Sequence, residues 1–452
     1  MASPRSASSE AFGHLWSTPE TSALFSDEGR TQAWLDILAA LAEAQAEVGL
    51  IPAAAAEAIR AHADSSRIDL TFVAEQTRAS GHSTVGLIRA LRQVLPADAR
   101  EWVYYGATVQ DVSDTWFSLI FRTVGDIAQR DVTRMRDRAL QLAAQHRDTP
   151  MCGRSHGQPG LPITFGFKAA VWAAELDRHL ERLRQGRRRW EVVQLGGALG
   201  SMEFWGSHAL GLLDAFARRL GLAVPVVPWL TARDGVAEFL WLLAAISATT
   251  GKIGNEVYEL QRPEIGELRE SFTPGTVGSI TMPHKRNPEI SEHLVTLARV
   301  IRAQAALGVE GMVCEHERDG RAWKAEWLVV PEVSMAFAAC VSAGATMLEG
   351  VQASPERMAA NIGEHRGYLL SEPVMRALAA HVGKHTAHDS VYAAAISGLE
   401  AGQDFRTALR ADPRLDAVSD AELDEALRVQ SALGACGAFA DRARRACCGA
   451  GQ

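Results

Sequence analysis

Apolar residues recur along most of the chain at spacings of three and four. Over 31–48 (TQAWLDILAALAEAQAEV) they fall at i, i+3, i+4 and i+7, with strong helix formers between them, which predicts an amphipathic helix. Gly49 and Pro52 supply its stop. Segments 113–147, 162–192, 232–262, 288–311 and 325–350 are long and rich in Ala, Leu, Arg and Glu, and predict the helices of a bundle. Strand patterning is scarce. The stretch 223–228 (AVPVVP) is one weak candidate, and its prolines demote it. The fold class expected is all-α, in three parts: a helical N-terminal domain over 1–110, a central helical bundle over 111–353, and a small domain of shorter helices over 354–452.

Four polar, glycine-bearing stretches interrupt the helices: 104–111 (YYGATVQD), 151–160 (MCGRSHGQPG), 194–203 (QLGGALGSME) and 271–287 (SFTPGTVGSITMPHKRN). A bundle needs only short connectors, so the last of these, long and dense in Gly, Pro, Ser and Thr, reads as functional.

Composition narrows the classes. Among 452 residues, 46 Lys and Arg against 54 Asp and Glu leave a net charge of −8, which argues against a nucleic-acid-binding or membrane-surface protein. The start, MASPRSASSEAFGHLW, carries no apolar leader core, and the apolar run 239–251 is too short to span a bilayer. The six cysteines form neither a disulfide framework nor a metal pattern. They read as small apolar filler, or near the C-terminus as exposed thiols, in a reducing cytoplasm. Clusters at metal-ligand spacing and phosphate-cradling glycine motifs are absent, so no cofactor and no metal are expected.

Only five of the basic residues are Lys, so an ammonium inside a polar loop carries information. Lys285 is one, in Met282-Pro283-His284-Lys285-Arg286-Asn287-Pro288. Gly275 and Gly278 upstream permit close backbone approach to a ligand. Asn287 is a good N-cap and Pro288 suits a first helical position, so the loop is expected to carry Ser279 and Lys285 to the positive end of a helix, an anion site. In 153–158 (GRSHGQ), small neighbours leave His156 open to a ligand, and His is the natural acid or base near neutral pH. Taken alone, 106–111 (GATVQD) is a turn and helix cap, with Thr108 or Asp111 capping.

Taken together, the three stretches resemble the three shared regions of the fumarase/aspartase superfamily. Residues 275–292 (GTVGSITMPHKRNPEISE) resemble its GSSxMPxKxNP region, 153–158 its T-H-G-Q region and 106–111 its G-x-T-S-x-D region. The similarity runs from about Thr18 to the Ala-His pair at 387–388. MPHKRNP and His316-Glu317-Arg318-Asp319 look like the branch of adenylosuccinate lyase and 3-carboxy-cis,cis-muconate cycloisomerase.

The resemblance implies a lyase that abstracts the proton β to a leaving group on a small dicarboxylate, usually giving fumarate. It implies a homotetramer whose sites borrow loops from different subunits. Ser279 aligns with the family's base and His156 with its general acid. Thr108 and Ser155 align with substrate carboxylate contacts, and Lys285 and Asn287 are suited to stabilising the dianion that proton loss creates. His82 aligns with a site-facing His, against the alternative of a helix-start His bonded to backbone. Arg318 or Arg321 would pair a distal carboxylate, and Arg154 is divided between an ion pair and a ligand contact.

Departures from the pattern sharpen the expectation. Ile280 replaces the loop's second Ser, Val109 replaces the Ser of the first region, and Gly13-His14-Leu15-Trp16 stands where adenylosuccinate lyases carry a phosphate-holding Arg-Tyr. These point to a small leaving group, an amine or nitrite as in nitrosuccinate. Cycloisomerase and adenylosuccinate lyase are the alternatives, and a crystallin-like structural relative is the non-enzymatic one.

Overall fold

The computed structural model describes residues 9–272, 275 and 277–449. The first eight residues of the stretch read for a leader lie outside that set. The chain opens with α1 (Pro19–Phe25), α2 (Asp27–Glu47), α3 (Ala53–His62), α4 (Leu70–Ser80) and α5 (Val85–Val94). The long α6 (Val109–Gln145) leads to strands β1 (Pro150–Ser155) and β2 (Gln158–Thr164), then to α7 (Phe165–Trp190), α8 (Ala209–Leu220) and α9 (Asp234–Gln261). Next come β3 (Leu268–Arg269), α10 (Glu289–Glu310), α11 (Gly320–Gly350) and β4 (Gln352–Ala353). The C-terminal helices are α12 (Pro355–Glu364), α13 (Ser371–Val382), α14 (Lys384–Glu400), α15 (Phe405–Arg410), α16 (Asp420–Ala426) and α17 (Cys436–Gly449). The protein is all-α: 70% helix against 4% strand.

Burial follows the periodicity. On α6 the buried set Val112, Trp116, Phe117, Ile120, Phe121, Val124, Ile127, Ala128, Met135, Ala139 and Leu142 keeps to the i, i+3, i+4 stripe. Each such large side chain is worth about 1.5–3 kcal/mol when withdrawn from water. Helix starts follow side-chain chemistry. Ser26 caps α2 through the Gly29 N–H, Asp69 caps α4 through Thr71 and Phe72, and Ser354 caps α12 through Arg357.

The chain divides into two compact units that do not follow sequence order. One gathers the residues up to Asp131, His179–Thr250 and Thr296–Ser342; the other gathers Val132–Arg178, Gly251–Val295 and the residues from Ala343 on. Helices α6, α7, α9, α10 and α11 each contribute a segment to both units. The last helices of the second unit enclose a core around Val374, Leu378, Phe405, Leu409 and Leu423.

Three local readings are corrected. Residues 150–164 form an antiparallel hairpin where the sequence reads as a loop, its register shifting between Cys152 and Arg154. A Cβ on Gly153 would meet the Leu161 carbonyl oxygen at 2.5 Å, so that step requires glycine. Pro159 and Pro162 obscure the strand in sequence and are tolerated because a two-stranded ribbon is all edge. The stretch 223–228, demoted as a strand for its prolines, makes only an isolated bridge among the described residues, Ala223 to Val192, in keeping with that demotion. The apolar run 239–251 lies inside the longer α9, and α9 and α11 are both long and apolar enough to cross a membrane by composition. Most of each apolar window is buried inside the protein, 67% and 78%, as in core helices. Cys436 and Cys447 are buried rather than exposed; the side chain of Cys448 lies outside the described set. Burial holds the thiols of Cys152 and Cys340 up at about 11 and about 12, so both are unreactive at neutral pH.

Candidate active site

Four of the five non-glycine residues with left-handed backbone among the described residues fall in or beside the stretches singled out by their chemistry: Tyr104 (φ 62°), His156 (φ 53°), Met202 (φ 56°) and His316 (φ 56°). Strain of this kind persists only where its surroundings enforce it, and it concentrates at functional sites.

In the first unit, Asp111 organises the 104–111 loop. Its carboxylate accepts from the N–H groups of Thr108 (2.9 Å), Gly196 (2.8 Å) and Gly197 (3.1 Å) and from the Gln194 amide (3.2 Å). One buried carboxylate thus ties the start of α6 to the 194–203 loop. Burial pushes its pKa up to about 6, against the pull of those four donors. Thr108 is left to present its hydroxyl, which accepts from the Arg318 guanidinium at 2.8 Å. Arg318 also lies over the Trp323 ring, 5.9 Å from its centroid. Burial, then the Asp111 charge, raise the Tyr104 phenol, so it stays a neutral donor beside Thr108.

Beneath this loop lies a buried charge cluster that sequence reading missed. Arg233 forms ion pairs with Asp114 (2.6 Å) and with Glu326, and Asp114 also accepts from the Trp323 indole (3.1 Å) and the Gln110 amide (3.1 Å). Glu326 is buried as well. Arg321 is held by Asp319 (2.6 Å) and Glu315 (3.0 Å), so its guanidinium is already committed while Arg318 keeps donors to spare. His82 follows the left-handed Gly81 cap of α4 and is exposed, and its Nδ1 accepts the Thr84 N–H at 3.3 Å, the backbone-bonded alternative.

In the second unit, His156 and Gly157 (φ 76°) are the two central residues of the β1–β2 turn, between the paired Ser155 and Gln158. Positive φ at both positions is what a type I′ hairpin requires. The turn holds Ser155 and His156 exposed at its tip. Arg154, one residue back, makes a two-point pair with the buried Glu267 (2.8 and 2.9 Å), whose carboxylate also accepts from the Asn361 amide at 2.8 Å. Its guanidinium anchors the hairpin rather than standing free for a ligand.

The 277–287 loop folds back on itself. A Cβ on Gly278 would lie 2.6 Å from the Lys285 carbonyl oxygen, so glycine allows the two limbs, and with them Ser279 and Lys285, to approach. The Met282 N–H donates to Ser279 Oγ at 3.0 Å. Lys285 is exposed and forms no ion pair among the described residues, whereas Arg286 is stacked on Phe272 at 4.3 Å.

The helix-end expectation is corrected. Glu270, not Asn287, caps α10, its carboxylate accepting from the N–H groups of Ser291 (2.6 Å) and Ile290 (3.3 Å). The positive end of the helix therefore already holds an anion of the protein's own, and Asn287 donates to Glu289 at 3.3 Å. Val109 is buried, so of the two apolar residues that replace the family's serines only Ile280, 92% exposed, has a free surface. Among the described residues, no hydrogen bond joins His156 to Ser279 or Lys285, and no group of three or more His, Cys, Asp or Glu is placed to hold a metal ion.

Comparison with known proteins agrees with the three-loop reading. Residues 16–303 match the lyase family model, and residues 367–443 match that of the adenylosuccinate lyase C-terminus. The chain is 39% identical to an N-acetyl-S-(2-succino)cysteine lyase of Dickeya dadantii over 89% of this chain and 88% of the relative. It is 37% identical to a 3-carboxy-cis,cis-muconate cycloisomerase of Pseudomonas aeruginosa over 93% of each. A crystal structure of a fumarate lyase from Mesorhizobium sp. BNC1 superposes with a TM-score of 0.88 at 32% identity, covering 95% of this chain and 98% of the other. The fold, the three chemical loops and these matches together make the chain an enzyme of the fumarase/aspartase superfamily, in the branch of adenylosuccinate lyase and 3-carboxy-cis,cis-muconate cycloisomerase.

Proposed function

We propose that this enzyme eliminates a small leaving group from a 2-substituted succinate to give fumarate. The observation that carries the reading is the Ser279–Lys285 loop, where a hydroxyl receiving a backbone N–H lies in the same tight turn as an ammonium that forms no ion pair among the described residues. A proton α to a carboxylate is very weakly acidic, because its removal puts a second negative charge on that carboxyl. The site must supply positive charge where the dianion forms. Lys285 does so in this reading, with Asn287 as a further donor. Ser279 is the base. Its alkoxide is favoured by the Met282 N–H and by Lys285 rather than by the helix end, which Glu270 already neutralises. Thr108, Arg318 and Ser155 hold substrate oxygens. His156, set out on the hairpin tip, protonates the departing group. Arg154, Arg321 and His82 support the surrounding loops.

The leaving group is a heteroatom. The Dickeya relative, named for a succinylated cysteine, supports a thiol, and an amine or nitrite fits the same chemistry. A lactone-forming cycloisomerase is the second reading, supported by the Pseudomonas relative. We place the sites between subunits of a cytoplasmic homotetramer, each drawing its three loops from different chains.

The test is Ser279→Ala. It should lower kcat about a thousandfold or more while fumarate and substrate bind with little change, because Lys285 remains. Lys285→Ala should weaken both binding and kcat. A Ser279→Ala enzyme that keeps a tenth of wild-type kcat would place the base elsewhere.

A further inference from the structure

Arg318, assigned above to a substrate oxygen, is half-buried and forms no ion pair among the described residues. Its guanidinium donates to the Thr108 hydroxyl at 2.8 Å and reaches the Ala198 carbonyl oxygen only at 3.5 Å. A long side chain held by one hydroxyl keeps much of its rotamer freedom, whereas two-point pairing with a carboxylate needs the guanidinium plane aimed beforehand. The Trp323 ring supplies a further contact, with its centroid 5.9 Å from Arg318 Cζ and so within cation–π range.

Trp323 is itself firmly held. It is buried, Trp327 packs against it edge to face with centroids 5.0 Å apart, and its indole N–H donates to Asp114 Oδ1 at 3.1 Å. Asp114 is fixed in turn. It accepts from the Gln110 amide at 3.1 Å and from both terminal nitrogens of Arg233, at 2.6 and 3.2 Å. Arg233 also donates through Nε to Glu326 at 3.0 Å and lies over the Trp229 ring at 5.0 Å. The Trp229 backbone N–H donates to the Gln194 side chain at 2.8 Å, so the cluster is tied to the 194–203 loop as well. A buried ion cluster gains little stability over apolar side chains of the same volume, but a fully paired one is rigid. Trp323 touches both this rigid cluster and Arg318.

We propose that Trp323 is a positioning residue for substrate binding. Its ring, fixed by the indole N–H on Asp114, aims the Arg318 guanidinium at a substrate carboxylate, and Trp323 itself touches no substrate. The proposal rests on the assignment of Arg318 to a substrate oxygen.

The experiment is calorimetric titration of the full-length protein with fumarate, which needs no turnover, beside thermal unfolding of each variant. Trp323→Leu removes the ring and should weaken binding about fivefold, while Trp323→Phe keeps a ring face and should recover most of that loss. Arg318→Gln should weaken binding about tenfold or more. In that background Trp323→Leu should change little, because the ring then has nothing to aim, whereas a merely structural role would give the same loss in both backgrounds. Arg318→Lys keeps the charge but not the planar face, and should also weaken binding about fivefold. It lies near the surface and keeps the test valid if Trp323→Leu folds poorly. Equal losses from Trp323→Leu in both backgrounds would overturn the proposal, as would wild-type affinity in Trp323→Leu, Arg318→Lys or Arg318→Gln; each of these leaves the Ser279 reading standing. Wild-type protein that binds no fumarate would overturn both.

Discussion

At the scale of single residues, Asp111 shows how much one carboxylate can organise. Its four donors come from two loops, so replacing an oxygen by an amide NH2 turns two of those donors against a third. Asp111→Asn should destabilise the protein by about 2–4 kcal/mol and cut activity through the displaced Thr108. The pH dependence carries a definite sign. The folded pKa, about 6, lies above the ordinary 3.8, so the ionised form is disfavoured on folding. The stability that Asp111 contributes is full below about pH 4 and is lost as pH rises to about 6, on the order of 3 kcal/mol in all. Denaturant unfolding of wild type and Asp111→Asn should therefore show a stability gap that narrows between pH 4 and 6 and is level above. A gap that widens over that range would refute this picture. Sequence reading reached Asp111 as a helix cap and stopped there, because its partners Gly196 and Gly197 lie some 85 residues further on and nothing local announces the pairing.

At the scale of elements, the helices were legible and the short ribbon was not. Periodicity placed α6, α7, α9 and α10 to within a few residues at each end, since a stripe buried every three to four residues is a local signal. It started α11 five residues late, at 325 instead of Gly320. The β1–β2 hairpin carries no such signal. Its residues alternate poorly, prolines punctuate it, and its register depends on a glycine bulge and a left-handed His156. The capping of α10 misled for a related reason. Asn287-Pro288-Glu289 is a fair local start, yet Glu270 reaches the exposed N–H groups from the other end of the loop. The fold-back of that loop is testable. Gly278→Ala must push the Lys285–Asn287 backbone away, because the new Cβ would stand 2.6 Å from a carbonyl oxygen. We expect kcat to fall at least tenfold with a change in Tm of only a few degrees, measured by steady-state kinetics beside thermal unfolding. Wild-type kcat in this variant would show that the close approach of the two limbs is not needed.

At the scale of the whole molecule, the sequence is contiguous and the compact units are not. A reading along the chain proposes three successive parts, while contacts group distant stretches through five helices that each serve both units. The buried Arg233–Asp114–Glu326 cluster joins three such stretches of the first unit. Arg233→Met would leave two buried carboxylates facing one another, at a cost of about 3–5 kcal/mol. Burial already raises Glu326 against the pull of Arg233, so without that arginine it should protonate more readily and the loss should shrink at acidic pH. Chemical denaturation at neutral and acidic pH checks this, and a loss independent of pH would contradict it. The proposed sharing of sites between subunits has its own readout. Inactive Ser279→Ala and His156→Ala proteins, mixed and allowed to exchange subunits, should regain activity, since some mixed sites then carry both native residues. Continued inactivity after verified exchange would count against shared sites.

The central claim is that this enzyme removes a heteroatom group from a substituted succinate. Its most direct test is product analysis of the purified protein with N-acetyl-S-(2-succino)cysteine, aspartate and nitrosuccinate, following fumarate and the released group together. The account predicts fumarate and free leaving group in equal amounts from at least one of these, abolished by Ser279→Ala. Folded protein that releases no fumarate from any of them, yet converts a carboxymuconate to a lactone, would contradict it.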